Sequence, residues 1–153
     1  MTPPIWSDVS ADLATATAQL RRAEEKAGTL AGLPPDLRED REVAIGKHLH
    51  DAYSAGEAAL QRVILIVDGS LPQGGRYHGD LLDRAARPFE DLRGPAIRGE
   101  TRDLLRRLVG FRHAYRHAYG AFEWDLAAPN LVLAARAIPM LVEDLTAFAR
   151  PRG

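Results

Sequence analysis

Between residues 36 and 68 the apolar side chains Leu49, Tyr53, Ala59, Leu60, Val63 and Ile66 follow a helical period that gathers them into one stripe. That period belongs to one face of an α-helix and to nothing a β-strand can use, because strand side chains alternate with a period of two. A helix this long fixes the frame on which the remainder must pack. Asp68-Gly69 is its expected stop, since glycine accepts the left-handed conformation that ends many helices.

The flanking segments carry the same signature. Ser7 or Ser10 is the expected cap of a first helix, in which Trp6, Val9, Leu13, Leu20, Ala23, Ala27 and Leu30 form an apolar face. Gly32-Leu33-Pro34-Pro35 closes it, because proline removes a backbone donor and disfavours a helical predecessor. Residues 70–76 read as a loop that lacks both the spacing and the Lys-Ser/Thr ending of a phosphate-binding loop. A short third helix is predicted over 78–87, with Leu81, Leu82 and Ala85 inward and with Pro88 and Gly94-Pro95 beyond it. The fourth is predicted over 97–119, stopped by Gly120. The fifth is predicted over 129–150, with Leu131, Ala135, Ile138, Leu141, Val142, Leu145 and Phe148 on one face and a bend at Pro139. Short connections between amphipathic helices give an all-α, up-and-down bundle of four to five helices, expected as a single domain over 1–153.

The chain has 153 residues, 46% of them hydrophobic and 27% charged, with a net charge of −1. No global field draws it to nucleic acid or to a membrane surface, so any such affinity must come from a local patch. Absence of cysteine excludes disulfides, thiol catalysis and thiolate metal sites. No apolar run reaches a membrane span, and residues 1–8 do not read as a signal peptide, so a cytoplasmic protein is expected.

The local patch is on the fourth helix. Leu104, Leu108, Phe111, Tyr115 and Ala118 share its core stripe, while Arg102, Arg106, Arg112, His113, Arg116 and His117 occupy the other side. Such a face is relieved either by a phosphate-bearing ligand or by carboxylates from neighbouring helices. Arginine holds a phosphate and offsets charge that builds on it, and histidine exchanges a proton near neutral pH. Together they suffice for RNA cleavage without a metal or other cofactor, the ribose 2′-hydroxyl attacking the adjacent phosphate. Five residues of straight helix set Arg112 and His117 about 140° apart, so one undistorted helix does not aim both at one atom. Either the helix distorts near Gly120 or two chains bring these helices together across a two-fold axis, and the homodimer is the preferred solution.

The string Phe111-Arg112-His113-Ala114-Tyr115-Arg116-His117-Ala118-Tyr119-Gly120 resembles the signature of the HEPN superfamily: an arginine, four residues, a histidine, one residue and a tyrosine. More narrowly it is similar to the HepT-like ribonuclease toxins. The long second helix, the Leu-Pro loop and Tyr77-His78-Gly79-Asp80-Leu81-Leu82 extend the likeness from about residue 40 onward, and the first helix matches only in kind. The resemblance implies a dimeric bundle with an RNA-cleaving cleft, Arg112 and His117 catalytic, and His113, Arg116, Arg106 and Arg102 supporting or RNA-binding. It also implies a cognate nucleotidyltransferase antitoxin that attaches AMP to Tyr119, which would place negative charge in a cationic cleft. His113 stands where the family often has Asn or Asp. The superfamily also includes non-catalytic nucleotide-binding or regulatory modules, and a module that docks a nucleotidyltransferase is the alternative reading.

Other residues carry weaker signals. His113 and His117 have a helical metal-ligand spacing, but Ala114 replaces the glutamate of the metalloprotease motif, and a third ligand would have to be His78, Glu123 or Asp125. No metal site is therefore expected. His48 and His50 read as surface residues, Tyr53 and Glu57 as a touching pair with a core tyrosine, and Trp124 as a packing anchor.

Overall fold

The computed structural model describes residues 4–117 and 124–150, apart from the side chains of 4, 5, 111–117 and 126. Within them lie five α-helices and no strand: α1 (Pro4–Ala27), α2 (Pro35–Asp68), α3 (Tyr77–Ala85), α4 (Gly99–His117) and α5 (Trp124–Ala149).

α1 and α2 form an antiparallel pair. Arg62 reaches Asp12 (2.7 Å) and Asp8 (3.7 Å) near the start of α1, and His48 Nδ1 lies 2.7 Å from Gln19 Oε1 further along. Val9, Leu13, Ala16, Leu20 and Ala23 are buried against Ile45, Leu49, Ala52, Tyr53, Ala59 and Leu60 in one hydrophobic cluster shared with α3, α4 and α5. Ile64 is fully buried and Ile66 only partly, so the stripe on α2 drifts by two residues from its expected path in the last turns.

Several helix ends differ from those expected. α1 begins at Pro4, ahead of Ser7 and Ser10, because a proline is well suited to the first helical position, where its missing N–H costs nothing. It ends at Ala27, and Gly28 to Gly32 form the turn, with Gly32 at φ 83°. Leu30 is nonetheless buried from outside the helix. α5 begins at Trp124, a turn before Pro129, and continues through both Pro129 and Pro139. α3 spans one residue earlier and stops two residues sooner than expected. His48 and His50 are half-buried, which corrects their reading as surface residues: α1 covers the side of α2 that carries His48.

One end of the bundle is fastened by charge. Gly69 caps α2 at φ 80°, its N–H on Leu65 O (3.0 Å). Just before it, Asp68 accepts Arg93 Nε and Nη2 at 2.7 and 2.9 Å, both side chains being almost fully enclosed, at 0% and 2% exposed. Arg93 also donates to the carbonyls of Arg84, Arg87 and Gly94, so every arm of the buried guanidinium has an acceptor. Ala96 N–H donates to Ala85 O (2.8 Å), which joins the end of α3 to the approach to α4. Asp144 of α5 accepts Arg98 N–H (3.0 Å), Arg98 Nε (2.7 Å) and Thr101 Oγ1 (2.6 Å). A carboxylate there offsets the partial positive charge of the α4 N-terminus. The C-termini of α2, α3 and α5 and the N-terminus of α4 therefore meet at one end, and α4 runs from it toward the other.

Candidate active site

α4 is held from below by Asp144 and from the side by Leu104, Leu105 and Leu108, all buried in the common cluster. The opposite side carries the arginines. Arg102 pairs with Asp103 (3.0 Å), and Arg106 pairs with Asp83 of α3; all four side chains are at least a third exposed. At these two positions carboxylates already relieve the basic face. The backbone of α4 continues as helix through Arg112, His113, Arg116 and His117. The side chains of these four lie outside the described residues, as do Tyr119 and Glu123 entirely, so the structure does not bring Arg112 and His117 together or keep them apart.

A second polar group lies between α2 and α3. Glu57 Oε2 accepts the Tyr53 hydroxyl at 2.9 Å and lies 2.6 Å from His78 Nδ1. Its other oxygen faces Gln61 Nε2 at 3.5 Å. The Glu57 side chain is 8% exposed and that of His78 36%, so a nearly enclosed carboxylate is presented to solvent through an imidazole. Tyr77 stands edge-on to the His78 ring, with centroids 5.5 Å apart. Burial, and then the Glu57 charge, raise the Tyr77 phenol above its ordinary pKa, a hydrogen bond with Gln61 acting the other way. The phenol therefore stays protonated across the physiological range.

The Tyr53–Glu57 contact was legible from their four-residue spacing; the role of His78 was not. A histidine at the second position of a short helix carries no pattern of its own, and only the packing of α3 on α2 shows which carboxylate it meets. Among the described residues no group of three or more His, Cys, Asp or Glu stands close enough to hold a metal ion. Nor is any described helix long and apolar enough to cross a membrane. Trp124 is half-buried against the shared core, the packing role expected of it.

An all-helical bundle of this order, with an Arg-x4-His segment ending its fourth helix, is a HEPN-type fold. The chain belongs to the HepT-like protein family, whose model matches residues 44–151. The match covers α2 to α5 almost entirely and leaves α1 outside, the division expected from the sequence. No curated protein and no solved structure matches the chain.

Proposed function

We propose that this protein is a metal-independent endoribonuclease toxin, acting as a single domain that dimerises to form its cleft. Arg112 neutralises charge on the scissile phosphate, and His117 transfers a proton as the 2′-hydroxyl displaces the 5′-oxygen. His113 and Arg116 support this site, and Arg102 and Arg106 guide the RNA backbone toward it from further along the same helix. The observation that carries the reading is that Arg112 and His117 ride the last turns of a continuous α4, inside the stretch that matches the HepT-like family. A nucleotidyltransferase antitoxin neutralises the protein in this reading, attaching AMP to Tyr119 and placing bulk and negative charge where RNA must bind.

The test is cleavage of a structured RNA by the purified protein in the presence of EDTA. The expected result is cleavage that leaves 2′,3′-cyclic phosphate ends, is indifferent to EDTA, and falls by at least about 10²-fold in His117→Ala. A folded protein that never cuts would favour a non-catalytic module that docks a nucleotidyltransferase. The paired carboxylates on Arg102 and Arg106 would then mean that the basic face needs no RNA. The modification has its own readout. Protein co-expressed with the cognate nucleotidyltransferase is expected to gain mass in AMP-sized steps, and the gain should vanish in Tyr119→Phe.

A further inference from the structure

α4 and α5 run antiparallel, α4 leading away from the contact of Arg98 with Asp144 and α5 leading toward it. At about 1.5 Å per helical residue, Gly110 on α4 and Val132 on α5 each stand about 18 Å from that contact. Both are exposed, so they look outward at one height from two helices that pack on each other. We infer that these outer faces are the seam on which a second copy of the chain packs, Val132 of each protomer seated over Gly110 of its partner; the inference rests on the dimeric reading above and supplies the surface that reading needs.

Val132 is 65% exposed, the most of any large hydrophobic residue among those described. It does not stand alone. Pro129, Val132, Arg136 and Pro139 share one exposed face of α5, and from Ala127 to Val142 the sole charge is Arg136. Arg136 is already neutralised by Glu100 of α4, 3.0 Å away, and that pair ties the outer face of α5 to the outer face of α4. A helix apolar on its outward side as well as its inward side is one that packs on both. The other exposed large hydrophobics lie elsewhere: Leu65 and Leu92 near the end where Arg98 meets Asp144, Leu37 and Val43 in the first turns of α2.

Gly110 supplies the opposite shape. It sits inside α4, where glycine weakens an exposed helix relative to alanine, and no described atom comes within 4 Å of a Cβ built on it. Nothing described in its own chain therefore requires the missing side chain. The hollow it leaves admits a side chain from outside.

A knob and a hollow side by side at one height match a second copy of the same surface. A two-fold axis parallel to the helices keeps every residue at its own height and lays α4 of one protomer against α5 of the other. Val132 then meets Gly110 of the partner twice, once on each side of the axis. Both α4 helices point the same way, so their Arg112–His117 segments arrive together at one end of the dimer. Gly110 is within one turn of Arg112, so the seam borders the segment that the 140° separation requires a partner to complete.

The experiment measures the dimer directly and needs no RNA. Light scattering over a dilution series is expected to show a wild-type dimer whose Kd rises at least about 10²-fold in Val132→Glu, which buries a charge at the seam, and in Gly110→Leu, which fills the hollow. Helix content by circular dichroism should stay at the wild-type value in both, and Leu37→Glu, an equally exposed site elsewhere, should leave Kd unchanged. The chain has no cysteine, so single variants report contacts cleanly. Gly110→Cys mixed with Val132→Cys and oxidised should give a disulfide-linked dimer with one chain of each, which requires the two Cα atoms to come within about 7 Å. A folded Val132→Glu that dimerises as the wild type does overturns the seam and leaves the nuclease reading standing, as does a dimer in which the mixed cysteines never link. A wild-type protein that is monomeric at every concentration overturns the seam and the dimeric cleft together. A dimer broken by Val132→Glu in a protein that cuts no RNA upholds the seam while the nuclease reading falls.

Discussion

His48 shows how one residue's surroundings translate into a pH dependence. Its ring is half-buried under α1, with Nδ1 on Gln19 and with Lys26, Arg22 and Lys47 nearby. Burial foremost, and then those cations, lower its pKa from 6.5, Asp51 acting in the opposite direction. Well above pH 6.5 the ring is neutral whether the chain is folded or not, so it adds no pH dependence there. As pH falls below that value the unfolded chain binds the proton more readily, and stability is lost until the folded ring also protonates. Thermal melts between pH 7 and pH 5 should therefore show a loss of Tm that is shallower in His48→Gln, which keeps a polar partner for Gln19 but cannot charge. Equal slopes for the two proteins would assign the acid sensitivity elsewhere.

Between elements, α2 approaches α5 closely at Gly56. A Cβ built there meets Leu141 Cδ2 at 3.0 Å and Ile138 Cδ1 at 3.7 Å, so the absence of a side chain sets how closely the helices pack. Gly56→Val forces those core residues apart and should cost about 1–3 kcal/mol in urea unfolding. Gly56→Ala should be near neutral, because a gain of about 1 kcal/mol in helix propensity offsets a small shift of Leu141. Elements of this kind were legible in the sequence only through their faces. The stripes Val9-Leu13-Leu20-Ala23 and Ile138-Leu141-Leu145 are the ones the structure buries, because hydrophobic period is set locally. The ends were less legible: Pro4 starts α1 and Pro129 lies inside α5, since proline marks a helix start or a tolerated interruption according to what packs around it. Contacts that depend on three-dimensional packing left no trace in the sequence. Neither the Asp144 cap of α4 nor the meeting of Glu57 with His78 has a spacing that announces it.

For the whole molecule, net charge of −1 leaves local geometry as the source of any cleft for RNA, and geometry poses the 140° separation of Arg112 and His117 on α4. A two-fold dimer resolves it if the arginine of one protomer faces the histidine of its partner. That arrangement makes a prediction no single-chain site shares. Arg112→Ala and His117→Ala homodimers are each expected to be inactive. Mixed and allowed to exchange subunits, they form heterodimers in which one of the two composite sites keeps both side chains. With equal mixing about half of the dimers are heterodimers, each with one working site, so cleavage should recover to about a quarter of the wild-type rate. Dilution of the wild type until protomers separate should lower its specific activity in parallel with the dimer fraction measured by light scattering. Failure of the mixture to recover, under conditions where exchange is demonstrated by mass, would overturn the two-fold arrangement and place both catalytic groups in one chain.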